Sequence, residues 1–234
     1  MDILGFEALV KNLSTSPELH NKIYSSLTRI KSISRSAKSP KFKTVHDNLN
    51  VSVFSDCIAI TCATSELANL IWTCGYLQAD LFFQGVLLRG GICLGPVVHE
   101  DGMLYGEGLL LSYHLEQKSA VYPRIVVDPD LADTISLDWV NKFMRWDNDG
   151  LLSIEPFKFD AGCPYSPVLE EDGWCPRYIY LAEVAKELTK GHRIAKTVDQ
   201  KSKWFWLSNR YNLAVEEYNR TNSSELSLIT LKNG

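Results

Sequence analysis

Apolar residues recur along this chain in two rhythms, and the rhythms divide it into elements. Leu19, Ile23, Leu27, Ile30 and Ile33 fall three or four residues apart, the repeat of one helix face. Leu67, Leu70, Ile71, Cys74, Leu77 and Leu81 repeat the pattern after Thr64-Ser65-Glu66, which suits a helix start. Between these two stretches, 49–62 is rich in Val, Ile, Phe and Thr and predicts two strands broken near Asp56. A strand is expected over 86–98, carrying Arg89-Gly90-Gly91, and another over 123–127, ended by Asp128-Pro129. A short helix is expected over 6–13, and further helices over 108–118 and 131–139. Ser16 and Pro17 suit a helix cap and first position.

Turn chemistry fills the intervals. Glu100-Asp101-Gly102 reads as a turn, and Asp147-Asn148-Asp149-Gly150 as the turn of a hairpin within 145–159. Residues 36–43 form a polar, Pro-containing linker, and 160–176, rich in Pro, Gly and acid, a surface loop. Residues 178–218 read as mostly helical and carry Trp204 and Trp206, suited to a core or an interface. Helices mixed with hairpin strands predict an α+β or α/β fold with one layered sheet.

Composition narrows the function classes. The 234 residues are 45% hydrophobic, enough for a sizeable core. The net charge of -4 argues against a general nucleic-acid coat. Basic stretches at 38–43 and 196–203 read as solvated faces. The six cysteines form no Cys-x-x-Cys pair and sit mostly in apolar runs, so they read as small hydrophobes of a reducing compartment rather than zinc ligands. Arg89 interrupts the best membrane-span candidate, and Asp2 and Glu7 spoil a secretory leader, so a cytoplasmic protein is expected.

Two carboxylates carry the chemistry. Asp2 lies in Met1-Asp2-Ile3-Leu4-Gly5-Phe6, before a Gly and a run suited to opening a helix. Asp56 lies in Val53-Phe54-Ser55-Asp56-Cys57-Ile58, at the bend of the expected hairpin. A carboxylate beside buried strands is costly unless solvated, paired or bound to a cation. Two that converge make a hard, oxygen-lined site suited to Mg²⁺ or Mn²⁺, and two such ions clamp an in-line displacement at phosphorus. Taken singly, Asp2 reads as a solvated residue near a terminus, Asp56 as a hairpin tip, and Arg89 as half of an ion pair. Arg124 reads as a structural salt bridge, Tyr105 as packing at a turn, and His20, His46, His99 and His192 as surface residues.

The order of motifs resembles the class III nucleotidyl cyclase catalytic domain over roughly residues 1 to 160. The residues that carry it are Asp2-Ile3-Leu4-Gly5-Phe6, Phe54-Ser55-Asp56, Arg89-Gly90-Gly91-Ile92 with Gly95-Pro96-Val97, Tyr105-Gly106, Leu115-Glu116 and Pro123-Arg124-Ile125. The variants of these motifs are most similar to the bacterial pyrimidine cyclases of the Pycsar antiphage systems. The resemblance implies an α+β sandwich, a mixed, mostly antiparallel sheet flanked by helices, over 1–160, with residues 161–234 a loop and mostly helical extension outside it.

The resemblance implies an enzyme that converts UTP or CTP to the 3′,5′-cyclic monophosphate and pyrophosphate, as a second messenger in antiphage defence. Two divalent cations, Mn or Mg, would be held by Asp2, Asp56 and the Ile3 carbonyl. Backbone N–H groups of Leu4, Gly5 and Phe6 would cradle the β- and γ-phosphates, with Arg89 on the triphosphate. Asn50 and Ser52 precede the second Asp and would meet the base edge. In other members an Asn and an Arg follow the Tyr/Trp-Gly turn; here those positions hold Leu110 and His114, and His114 is the candidate that remains. The charged purine readers fall at Ser52 and Met103, which fits a pyrimidine. A homodimer with shared active sites is implied, without nucleic acid or membrane as partner. A purine cyclase, or a cyclase-like module that binds a nucleotide without turnover, are the alternatives.

Overall fold

The computed structural model describes residues 1–11, 21, 24, 25, 28, 48–159, 177–223 and 225–229. The expected break at 14–17, the linker 36–43, the loop 160–176, His20 and His46 lie outside the described residues. Of the helix expected over 19–33, residues 21, 24, 25 and 28 are described and are helical.

Strand β1 (Asp2–Ile3) leads through Gly5, at φ 75°, into helix α1 (Phe6–Lys11). Strands β2 (Asn50–Phe54) and β3 (Cys57–Thr61) form a hairpin whose two-residue loop is Ser55-Asp56. Helix α2 (Leu67–Phe83) follows a short 3-10 turn at Thr64–Glu66, and β4 (Leu88–Ile92) returns beside β1. A separate two-stranded ribbon, β5 (Val98–Glu100) and β6 (Met103–Tyr105), precedes helix α3 (Glu107–Ser119). Its turn residues Asp101 and Gly102 both have positive φ, the conformation a tight hairpin favours. Strand β7 (Ile125–Val127) is followed by short helices α4 (Pro129–Ala132) and α5 (Leu137–Phe143), then by β8 (Met144–Trp146) and β9 (Leu152–Ile154). Helices α6 (Arg177–Ile194) and α7 (Val198–Asn222) are the last of the described elements.

The seven-stranded sheet has the order β2-β3-β1-β4-β7-β9-β8. Among the described strands, only the β4–β7 pair is parallel. Alternation along the strands gives the sheet two unlike faces. Ile3, Ile58 and Leu88 turn to one face and pack under Leu77 and Leu81 of α2. The same side continues into a second cluster, where Ile71, Phe157, Tyr180, Leu188 and Tyr211 join the sheet to α2, α6 and α7. Burial pushes the Tyr211 hydroxyl up to about 12, as expected of a phenol inside this core. Helix α3 covers part of the opposite face. Its close approach requires Gly91, where a Cβ would lie 2.6 Å from the Ser112 carbonyl oxygen.

Two elements differ from the sequence pattern. The strand expected over 86–98 ends at Ile92, because Gly95 packs against Gly108 and Pro96 offers no N–H to a ladder. The helix expected over 131–139 divides in two: α4 stops, and Ser136 starts α5 by accepting from the Trp139 N–H.

A buried ion network fixes the β8–β9 hairpin to α7. Arg210 donates to Asp147 at 2.8 Å and to the Ser153 hydroxyl at 2.8 Å, and lies 3.2 Å from Glu155. Arg145 pairs with Glu155 at 2.9 Å and Glu217 at 3.2 Å. Arg124 is buried against Asp147, Asp149 and the Ser119 carbonyl, the structural role its neighbours dictate.

Candidate functional site

The open face of the sheet carries one row of side chains across four strands. Register pairs Arg89 with Asp2, Asp2 with Cys57, and Cys57 with Phe54. Directly paired residues share a face, so all four point away from the α2 core. Arg89 Nε donates to Asp2 Oδ2 at 3.2 Å. Its Nη2 lies 3.6 Å from Glu116 Oε1 on α3, and Glu116 Oε2 lies 3.7 Å from the Met1 ammonium. That ammonium in turn donates to the Ile58 carbonyl at 2.8 Å.

Asp56 joins the row from the hairpin tip. Ser55 takes a positive φ of 56°, which turns the chain tightly enough for the Asp56 carbonyl to accept from Ile3 N–H at 3.2 Å. The Asp56 side chain meets that of Asp2 by both charge and hydrogen bond. Burial, and then this second acid, raise the Asp2 carboxyl above its ordinary value, while Arg89 pulls it down. Burial is also the first cause that raises Glu116, with Asp2 adding to it and the ammonium and Arg89 opposing. Partial desolvation and the acids of Glu116, Asp2 and Asp56 push the Cys57 thiol up, so it is a neutral group, not a ready nucleophile.

The structure thus brings Asp2, Asp56 and Arg89 together and adds Glu116. The two carboxylates of Asp2 and Asp56 are hard oxygen donors whose mutual repulsion a divalent cation would relieve. Among the described residues, no group of three or more His, Cys, Asp and Glu side chains is placed to enclose a metal ion. Ile3 sits in the same strand as Asp2 with its side chain in the core. The Leu4 N–H is donated to the Leu87 carbonyl at 2.9 Å, so of the expected phosphate cradle only the amides of Gly5 and Phe6 lie beyond the sheet ladder.

Asn50 and Ser52 alternate with Phe54 along β2 and share its face. Asn50 is exposed. Ser52 is held: its hydroxyl lies 2.7 Å from His99 Nε2, and His99 Nδ1 lies 2.8 Å from the Thr61 hydroxyl. The imidazole therefore pins the β5–β6 ribbon across the β2–β3 hairpin, and burial lowers its pKa. His99 is thus half-buried with two side-chain partners, and His192, also half-buried, bonds the Ser208 hydroxyl at 2.8 Å. Both found partners far along the chain, which spacing does not display. Tyr105 faces solvent rather than packing at its turn, being 57% exposed.

His114 is not in the cluster. Helix α3 turns Ser112, Leu115 and Glu116 toward Gly91, which leaves His114 exposed on its far side beside the Tyr113 ring. Leu110 and Tyr113, 60% and 56% exposed, lie on α3 as well, and Phe54 at the end of the row is 85% exposed. No helix among the described residues is long and apolar enough to cross a membrane.

No family model, no curated protein and no solved structure matches this chain.

Proposed function

We propose that the protein is a pyrimidine nucleotide cyclase, which forms 3′,5′-cyclic UMP or CMP and pyrophosphate from UTP or CTP. One observation carries this reading: two carboxylates from separate strands converge, with a guanidinium beside them, on an open sheet face. Among the described elements, the order β1, α1, β2, β3, α2, β4 along the chain and the sheet order β2-β3-β1-β4 support a class III cyclase-like core. Asp2 and Asp56, with the Ile3 carbonyl, would hold divalent cations, Mn or Mg. When bound, such ions lower the pKa of the 3′-hydroxyl and neutralise charge on the phosphates.

The chain's own residues then divide the work. Arg89 opposes the loss of charge on Asp2 and orients it, and presents the rest of its planar fork to the triphosphate. Gly5 and Phe6 supply amides at the start of α1 for phosphate oxygens. Ser52, its hydroxyl oriented by His99, and Asn50 present hydrogen-bonding groups to a base edge. The exposed apolar groups Phe54, Leu110 and Tyr113 support a homodimer that completes the site. Antiphage signalling by the cyclic product is the role this activity would serve, within the cytoplasm.

The test is a product profile. Purified protein is incubated with each of UTP, CTP, ATP and GTP and Mn²⁺, and products are resolved by chromatography. Cyclic UMP or cyclic CMP, lost in Asp2→Ala and Asp56→Ala, supports the reading. Cyclic AMP or cyclic GMP would make this a purine cyclase. Thermal stabilisation by a triphosphate with no product would make it a nucleotide-binding module.

A further inference from the structure

The chain has a net charge of -4, yet residues 190–203 hold five lysines and arginines and one acid. This stretch spans the connection between α6 and α7. Several cations of these helices are paired. Lys186 meets Glu183 at 2.6 Å, Lys190 meets Glu187 at 3.7 Å, and Lys203 meets Asp199 at 2.7 Å. Arg193, Lys196 and Lys201 are exposed, and none of them pairs with an acid among the described residues. The positive charge of the corner is therefore uncompensated in the fold.

The same corner exposes aliphatic side chains. Ile194 ends α6 and is 58% exposed, and Val198 starts α7 and is 85% exposed. Phe205, also exposed, lies two turns beyond Val198, and Lys201 falls between them on the same helix face. The corner is held firmly. The amides of Lys196 and Thr197 donate to Gln200 Oε1, and the Gln200 amide donates to the Thr197 hydroxyl, a capping box that starts α7. The Ala195 amide donates to the Gly191 carbonyl and closes α6. Trp204 packs over Gly191, and His192 bonds Ser208, so the two helices form a hairpin with 194–198 at its tip. A tip fixed in this way presents its side chains to a partner at little ordering cost.

A single exposed aliphatic residue needs no explanation. Two at a hairpin tip, interleaved with three unpaired cations, match a surface of two layers: anionic head groups outside and hydrocarbon beneath. A nucleic acid would engage the cations through its phosphates but offers nothing to Ile194 and Val198. Residues 194–198 also include no aromatic ring on which a base could stack. The acidity of the chain as a whole is no bar, since charges more than about 8 Å away are largely screened at physiological salt.

We propose that the α6–α7 tip docks on an anionic lipid bilayer, with Ile194 and Val198 entering the interface and Arg193, Lys196 and Lys201 at the level of the lipid phosphates. The inference is independent of the cyclase reading, and it departs from the expectation that a membrane is no partner.

The probe is a vesicle of phosphatidylcholine, with or without about 30% phosphatidylserine, a composition that supplies the negative surface potential of a cytoplasmic leaflet. Cosedimentation of the full chain is expected to show at least tenfold tighter binding to the anionic vesicles. Each cation near such a surface contributes about fivefold in affinity. The triple variant Arg193→Gln, Lys196→Gln, Lys201→Gln is therefore expected to bind at least tenfold more weakly. The double variant Ile194→Ser, Val198→Ser is expected to weaken binding severalfold while keeping its dependence on salt. All five side chains are exposed, and thermal midpoints equal to that of the unmodified protein confirm that both variants fold. Equal binding to neutral and anionic vesicles overturns the proposal, as does binding that persists in the triple variant. Unchanged binding in the double variant overturns it too, since the contact would then be charge alone. Tighter binding to a duplex DNA or RNA than to the anionic vesicles, lost in the triple variant, overturns it in favour of a nucleic acid.

Discussion

Arg89 Nε and Asp2 Oδ2 lie 3.2 Å apart across the β1–β4 pair, joining two residues 87 positions apart in the chain. The bond holds a carboxylate that burial and Asp56 both push toward its neutral form. Arg89 therefore opposes that push on Asp2, besides being a phosphate ligand in the proposed reaction. Arg89→Ala is expected to lower kcat/KM for the triphosphate by about 100-fold, the scale of losing one charge-stabilising donor. Arg89→Lys keeps the charge but loses the planar fork, and is expected to recover little of it. Steady-state rates of product formation check both. Activity near that of the unmodified protein in Arg89→Ala would remove Arg89 from the site.

The pair Asp2 and Asp56 sets a pH dependence. The folded Asp2 carboxyl has a raised pKa, so the folded state binds its proton more tightly than the unfolded chain does. Its contribution to stability is then present below the unfolded value of about 3.9 and is lost as pH rises through the folded value. Asp56→Asn removes one of the raising causes. The variant is expected to be more stable than the unmodified protein at neutral pH, with the difference shrinking in acid. Urea midpoints at about pH 7 and pH 4 measure it. The same variant is expected to lose any stabilisation by Mn²⁺, because one of two carboxylate donors is gone.

His99 gives a shift of opposite sense. Its pKa is lowered by burial, so the unfolded chain takes up a proton before the folded protein does. Stability at this residue is complete above the ordinary imidazole value of about 6.5 and declines as pH falls toward the folded value. His192 is lowered for the same reason and adds to the decline. His99→Gln is expected to flatten the slope of stability between neutral and mildly acid pH without abolishing it. Thermal midpoints across that range test this. A slope unchanged in His99→Gln would assign the decline to His192.

The parts of this fold legible in the sequence are those whose determinants are local. The hairpin around Asp56 shows in the β-branched run 49–62, and the stripe from Leu67 to Leu81 gives α2. The break at Asp128-Pro129 shows as a capped helix start. What spacing hides is lateral register. Nothing near Asp2 announces that Arg89 is its neighbour. His99 meets Ser52 and Thr61 only because a short ribbon folds over another hairpin. Glu116 closes on Arg89 and Met1 because Gly91 lets α3 settle on the sheet, a consequence of tertiary packing. The sequence pattern foresaw a charged pair; the third acid came from the packing.

Helices α6 and α7 pack through Gly191, where a Cβ would lie 2.4 Å from the Trp204 ring. That ring is wide and half-buried against the main core, so it has little room to retreat. Gly191→Ala is expected to cost about 1–3 kcal/mol, the range for overpacking a filled site, despite the better helix propensity of alanine. A denaturant midpoint that rises instead would show that α7 can shift away from α6.

Arg210 is the tie between α7 and the β8–β9 hairpin. It is buried and meets Asp147, Ser153 and Glu155, and Glu155 is fully buried. Replacing a buried cation leaves its acids without compensation, a loss of about 3–5 kcal/mol when one partner of such a pair is removed. Arg210→Ala is therefore expected to lower the unfolding free energy by that amount. Arg145 still reaches Glu155 at 2.9 Å and Arg124 still reaches Asp147, so the hairpin keeps part of its charge balance. A cycle combining Arg210→Ala with Glu155→Gln separates the terms. If the network is the cause, the double variant loses less than the sum of the singles, because neutralising Glu155 removes the stranded charge. Additive losses would mean that Arg210 acts chiefly through its packing over the Trp206 ring, 5.1 Å from its guanidinium.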